Sequence, residues 1–327
     1  MGLIARLPAQ RGVGFIPTQL SNCVLWLRAD KGITIATGVS QWNDQSGLGN
    51  NAVQATGNIQ PTYLTSGWPN GKPALSYPGG TSIYLLTSAT VALGAFTGYV
   101  VAKTSAGGVL YGHGISTTNG GISGGRSLGS VGAVMYVDGS VPITGTAYNF
   151  TNGSANVSAT GSRFTTELVV GQHIISSNQS STVYLIDTIT NDTNLIMHTT
   201  FTGTTTTTAT AVKLDSVATS NRSDLQPNSI TWASDNAPHC LVQRYNGTQA
   251  GHLLSVDGVD QAPYTVSIAG NTGTAVLTDV VWIGNAGSGG TSAPTGLIAE
   301  IALFNRSLLD SEINLLHAYS QAMWGTP

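Results

Sequence analysis

Charge is what this chain lacks most. Twelve basic and fifteen acidic side chains make up 8% of its 327 residues, against roughly 25% in an average soluble domain. A net charge of −3 offers no basic stripe for neutralising phosphates, so nucleic acid is not expected as a partner. Glutamate is scarcest: Glu167, Glu300 and Glu312 stand apart, and no strand carries acidic residues at alternating positions. Glycoside hydrolysis requires two carboxylates at a fixed separation. With no Gly-x-Ser-x-Gly elbow between a strand and a helix, and no zinc spacing among the six His residues, the expectation is that the chain is not an enzyme. Two cysteines, Cys23 and Cys240, do not make a disulfide framework. Both lie in apolar runs and read as buried free thiols, a bridge being the alternative. No stretch approaches the roughly 18 apolar residues of a spanning helix, and the start, Met1-Gly-Leu-Ile-Ala-Arg6, has no signal-peptide run. Neither a membrane contact nor a signal peptide is expected.

What the chain does have is 41% apolar residues and 41 glycines, too much apolar surface for a disordered segment. From Asn22 onward the text reads as short strands separated by turns. Apolar runs recur at 24–27, 73–77, 83–86, 98–102, 109–112, 133–137, 229–233, 240–245, 253–256, 276–283 and 297–304. Gly-Gly pairs at 79–80, 107–108, 120–121 and 124–125 supply positive-φ turn positions. Asp257-Gly258 is a strong two-residue hairpin signal. Many short strands with Gly-rich turns indicate a sandwich or barrel. One helix is legible, from Asp310 to about Met323. There Ile313, Leu316, Tyr319 and Met323 make one apolar face, Asp310 is the expected N-cap, and the helix is expected to cover one end of the sandwich. Residues 1–20 read as an arm, with little periodicity.

Composition shifts toward Thr, Ser and Asn between about Ala147 and Val212. Alternation in Tyr184, Ile186, Thr188 and in Leu195, Met197 suggests about five short strands, enough for a small β-barrel. The expected organisation is therefore an arm at 1–20, a sandwich in two parts at 21–146 and 214–327, and an inserted small β domain at 147–213.

The bracketing segments resemble the concanavalin A-like lectin/glucanase superfamily in its laminin-G-like and pentraxin-like branch. The matching text is Leu25-Trp-Leu-Arg-Ala-Asp30, Trp42-Asn-Asp-Gln-Ser-Gly47, Lys72-Pro-Ala-Leu75, Val256-Asp-Gly258, Ile298-Ala-Glu-Ile301 and Asn305-Arg306. The resemblance implies an all-β jelly-roll sandwich whose first and last strands meet, with a short C-terminal helix. The superfamily hosts lectins, hydrolases and purely structural modules, so it does not select a function. The insert, through Gly161-Ser-Arg-Phe-Thr-Thr-Glu-Leu168, Tyr184-Leu-Ile-Asp-Thr-Ile189 and Thr193-Asn-Leu195, resembles small β domains of bacteriophage tail and virion proteins. Together the two imply a virion surface protein, in the head decoration or in a tail or fibre, with other virion proteins as partners. They also imply a homo-oligomer, a trimer by analogy. The alternatives are a carbohydrate-binding adhesin and, third, a polysaccharide hydrolase.

Site candidates follow from residue chemistry. Asp30 and Asp44, with Asn43 and Ser46, offer hard oxygen ligands of the kind Ca²⁺ takes. The favoured reading is instead that Asp44 and Ser46 bond the backbone of a tight loop. Glycan stacking would use exposed aromatics, for which Tyr63, Trp68, Tyr111 and Trp324 are the candidates. Trp26, Trp232 and Trp282 lie in apolar strands and are expected in the core.

Overall fold

The computed structural model describes residues 14–80, 82–106, 108–113, 126–129, 140–171, 173–179, 184–214, 226–227, 232, 234–262, 264–265, 277–285 and 293–327. The expected strands at 133–137 and 229–233 lie outside these residues, Trp232 excepted.

The chain is an all-β sandwich with a C-terminal helix. Its main sheet has eight strands. In spatial order they run Val259–Asp260, Leu253–Val256, Pro238–Tyr245, Phe96–Ala106, Thr295–Phe304, Ala74–Pro78 and Thr62–Leu64, with Cys23–Arg28 also on Thr295–Phe304. The last strand is thus shared along one edge. Residues 295–298 pair with Ala74–Pro78, while 300–304 pair with Cys23–Arg28, placing Trp26 opposite Ala302 and Arg28 opposite Glu300. The first and last strands do meet, as the sequence indicates. The facing sheet has seven strands, in the order Arg126–Gly129, Val109–His113, Val281–Ile283, Leu85–Thr87, Ala52–Val53, Val39–Trp42 and Ile33–Ile35. The hairpin signal is realised: Asp257 and Gly258 both take positive φ between paired Val256 and Val259.

Side chains alternate across a strand, and the main sheet covers something on both faces. Tyr111 of the facing sheet donates to Gln243 Oε1 at 2.6 Å, so Gln243 points between the sheets. Its neighbours in sequence point the other way, and there the C-terminal helix Asp310–Trp324 lies. Tyr319 and Trp324 of that helix donate to Glu300, and His317 Nε2 sits 2.9 Å from Ser255 Oγ. The helix therefore covers the outer face of the main sheet rather than one end of the sandwich. This burial on both faces explains the unbroken buried runs 96–102 and 298–304, as strands covered on both sides become apolar throughout.

Helix capping also differs from expectation. Leu309 is the N-cap, and Glu312 reaches back to accept its backbone N–H at 2.8 Å. Asp310 is the first helical residue and takes Arg244 Nη1 at 2.5 Å instead. Gly325 ends the helix in the left-handed region, at φ 69°, where a Cβ would be strained. Phe15, Ile16 and Leu20 pack against the main core.

Between Ser140 and Leu214 a second sheet of eight strands forms, more than the five or so the alternation suggests. It encloses its own core, led by Tyr148, Phe150, Phe164, Tyr184 and Phe201. The Thr tract contributes the strand Thr206–Ala209, paired to Thr146–Phe150.

Candidate functional site

Of the sequence-derived candidates Trp68 and Trp324 do meet, but inside the core. Trp68 is 1% exposed, donates its indole N–H to the Trp324 carbonyl at 2.6 Å, and meets the Trp324 ring edge-on at 6.0 Å. Trp324 is buried to the same degree and donates to Glu300. Tyr111 is fully buried between the sheets. None of the three can offer a ring face to a glycan, because each is spent on core packing with its polar tip satisfied internally. Tyr63 is half-buried and donates to the Ala29 carbonyl at 3.2 Å.

The Ca²⁺ candidates are engaged as well. Asp30 takes the Arg28 guanidinium through both oxygens, at 3.0 and 2.7 Å. Asp44 accepts from the backbone N–H groups of Trp26, Ser46 and Asn50 and from the Ser46 hydroxyl, all within 3.0 Å. It is thus the organiser of the loop that follows Trp42. Among the described residues no group of three His, Cys, Asp or Glu side chains is placed to hold a metal ion. Cys23 and Cys240 are unbridged.

Two titratable clusters stand out. His239 lies between two carboxylates, its Nδ1 2.5 Å from Asp257 and its Nε2 3.0 Å from Asp235. Burial pushes its pKa down, but the bonds to Asp257 and Asp235 outweigh this and hold it above 6.5. Glu300 is fully buried in the layer between sheet and helix. Oε1 accepts from Trp26 Nε1 at 2.5 Å and Tyr319 Oη at 3.0 Å. Oε2 accepts from Trp324 Nε1, and from Tyr99 Oη at 3.4 Å. Burial raises its pKa to about 7 although the Trp26, Trp324 and Tyr319 hydrogen bonds and the Arg28 charge pull it down.

The facing sheet carries an aromatic pair on its other side that sequence reading misses. Pairing places Gly112 opposite Trp282, Trp282 opposite Leu86, Leu86 opposite Val53, Val53 opposite Gln41 and Gln41 opposite Thr34. These residues form one row across the facing sheet. Tyr111, Ile283 and Leu85 of the adjacent row point to the core, so this row lies on the outer face. Trp282 is buried, as expected, but on this row rather than within the main core that holds its neighbours Val281 and Ile283. It remains 9% exposed, and the half-buried Tyr84 ring stands 4.7 Å from its own, tilted by 57°. Gln41, half-buried in the same row, donates to Asn43 Oδ1 at 2.5 Å. The aromatic pair forms an apolar patch on this row, with Gln41 and Thr34 three and four strands further along it, about 14 and 19 Å away at ordinary strand spacing. The signal was present in the text: in Val-Val-Trp-Ile, a period of two separates Trp282 from both core neighbours.

No family model matches the chain, and no curated protein matches it in sequence. Solved structures similar to it include a Trypanosoma rangeli sialidase in complex with sialic acid, with 13% identity and a TM-score of 0.41, covering 94% of this chain and 34% of the sialidase. Another is domain 4 of an extracellular arabinanase from Geobacillus stearothermophilus in complex with arabinotriose, with 11% identity and a TM-score of 0.37, covering 90% of this chain and 98% of that one. A third is the binding domain of botulinum neurotoxin DC in complex with rat synaptotagmin II, with 11% identity and a TM-score of 0.37, covering 93% and 55%. The chain thus spans about a third of the length of the sialidase. That sialidase is an enzyme holding sialic acid, and the expectation that the present chain is not an enzyme is withdrawn.

Proposed function

We propose that this chain is a surface component of a bacteriophage particle whose sandwich recognises carbohydrate through the outer face of its seven-stranded sheet. The Tyr84–Trp282 pair carries the carbohydrate reading. A pyranose presents an apolar C–H face and a polar rim, so an aromatic ring can cover the first while neighbouring amide and hydroxyl groups bond the second. Here Trp282 and Tyr84 supply the rings for one sugar, and Gln41 and Thr34, about 14 and 19 Å along the same row, supply polar groups for further sugars of an extended chain. Support for the particle reading is the resemblance of the insert to small β domains of bacteriophage virion proteins and its combination with a laminin-G-like sandwich, together with a chain poor in charge and rich in Thr, Ser and Asn.

A glycan array probed with the purified chain, and with Trp282→Ala and Tyr84→Ala, tests the first part. Loss of one stacking ring is expected to weaken binding about tenfold, roughly 1.4 kcal/mol, with the sandwich intact by circular dichroism. No binding to any glycan, or binding indifferent to both changes, would overturn it. Mass spectrometry of purified particles tests the second part, and repeated absence of the chain would dismiss it.

A further inference from the structure

The four donors around Glu300 come from three different elements. Trp26 belongs to the first strand, Tyr99 to the strand Phe96–Ala106, and Tyr319 and Trp324 to the C-terminal helix. An indole N–H donates and cannot accept, whereas a phenol does either. Each carboxylate oxygen faces one indole and one phenol. The anion takes all four donors, whereas the neutral acid keeps the two indoles and passes its own O–H to one phenol oxygen, which then no longer donates to the carboxyl. The opposing difference lies in solvation. A buried anion is costly without a counter-ion in contact, and among the described residues no ion pair to Glu300 exists.

The surrounding charged and titratable groups do not replace one. Arg28, on the first strand, is the nearby cation, but its guanidinium forks onto Asp30 and also reaches Met323 Sδ at 3.7 Å. Cys23 from the first strand and Cys240 from Pro238–Tyr245 are both held as neutral thiols by burial. The Tyr99 and Tyr319 phenols are pushed up by burial and by Glu300 itself. The helix is further tied through Trp324, whose carbonyl accepts from Trp68.

We propose that Glu300 is a proton-operated pin for the C-terminal helix: the helix stays seated on the main sheet while the carboxyl keeps its proton, and loosens when the proton leaves. Opening the helix exposes Glu300 to water, where its pKa returns toward 4.5 from about 7. A carboxyl raised in the closed state contributes stability that is complete below about 4.5 and is lost as pH rises through about 7. The open fraction of the helix should therefore grow on the order of fiftyfold between pH 5 and pH 8.5.

Hydrogen exchange of the amides of 310–324 in the full chain, corrected for intrinsic rates, reads that fraction directly. Tryptophan fluorescence reads the same proton, because both Trp26 and Trp324 touch the carboxyl. The expected result is a rise in helix opening and a fluorescence transition with a midpoint near 7, both absent in Glu300→Gln. Equal opening at the two pH values, tighter helix docking at pH 8.5, or an unchanged slope in Glu300→Gln would overturn the proposal. Should that variant not fold, the wild-type midpoint alone decides, since a midpoint near 4.5 would refute a buried pin.

Discussion

Gly98 sits in the middle of the central strand of the main sheet, paired with Gln243 on one side and Leu303 on the other. A Cβ built there would stand 2.0 Å from Tyr111 Oη and 2.7 Å from its Cζ, while ordinary contacts begin near 3.4 Å. Its φ is not positive, so alanine meets no backbone strain, and an alanine in a strand interior is otherwise favourable relative to glycine. The whole effect of Gly98→Ala is then the collision with Tyr111. Overpacking a core costs about 1–3 kcal/mol. Pushing Tyr111 aside also breaks its 2.6 Å bond to Gln243 Oε1, and leaving a buried pair unsatisfied costs about 1–3 kcal/mol more. The expected destabilisation is about 3–5 kcal/mol, read from the midpoint and slope of urea unfolding. In Gly98→Ala with Tyr111→Leu the smaller side chain makes room, so the two changes should couple and recover part of the loss. A Gly98→Ala chain within about 1 kcal/mol of wild type, or a strictly additive double variant, would refute the reasoning.

Asp44→Ala removes four hydrogen bonds from the loop after Trp42. Bonds to a charged acceptor are worth about 1.5–3 kcal/mol each but are not additive, so a loss of about 2–4 kcal/mol is expected by urea unfolding, with faster amide exchange at 44–50. An unchanged midpoint would show that the loop is held by other contacts. For His239, the raised pKa means stability that is full below about 6.5 and falls away as pH climbs through the raised value. Asp257→Asn should lower the His239 ring titration measured by NMR, and a ring that titrates unchanged would remove Asp257 as its cause.

Much of the fold was legible in particular residues. The apolar run at 297–304 and the run at 24–27 announced the terminal strands, and their pairing through Trp26 and Ala302 followed. Asp257-Gly258 gave its hairpin because few residue pairs tolerate two successive positive φ values. The helix was set by its three- and four-residue apolar spacing. Its cap was misassigned because Asp310 has an ion-pair partner, Arg244, 66 residues away in sequence. The candidate site was less legible. Trp68 and Trp324 looked like free rings at a loop and a terminus, yet they bond each other across 256 residues. Tyr111 lay in a run whose inward face only the opposing sheet could define.

Local patterning thus determined the all-β class, the sandwich brackets, the change of composition in the middle and the single long helix, because turn chemistry and side-chain period act over a few residues. Tertiary structure alone decided three further points. The helix lies on the outer face of the main sheet, the isolated Glu300 becomes a buried hub of four aromatic donors, and Trp282 with Tyr84 faces away from the core. Each depends on which elements cover which face, and that is settled by contacts between separate elements, from 19 positions apart for Tyr319 and Glu300 to 274 for Trp26 and Glu300, rather than by any neighbour along the chain.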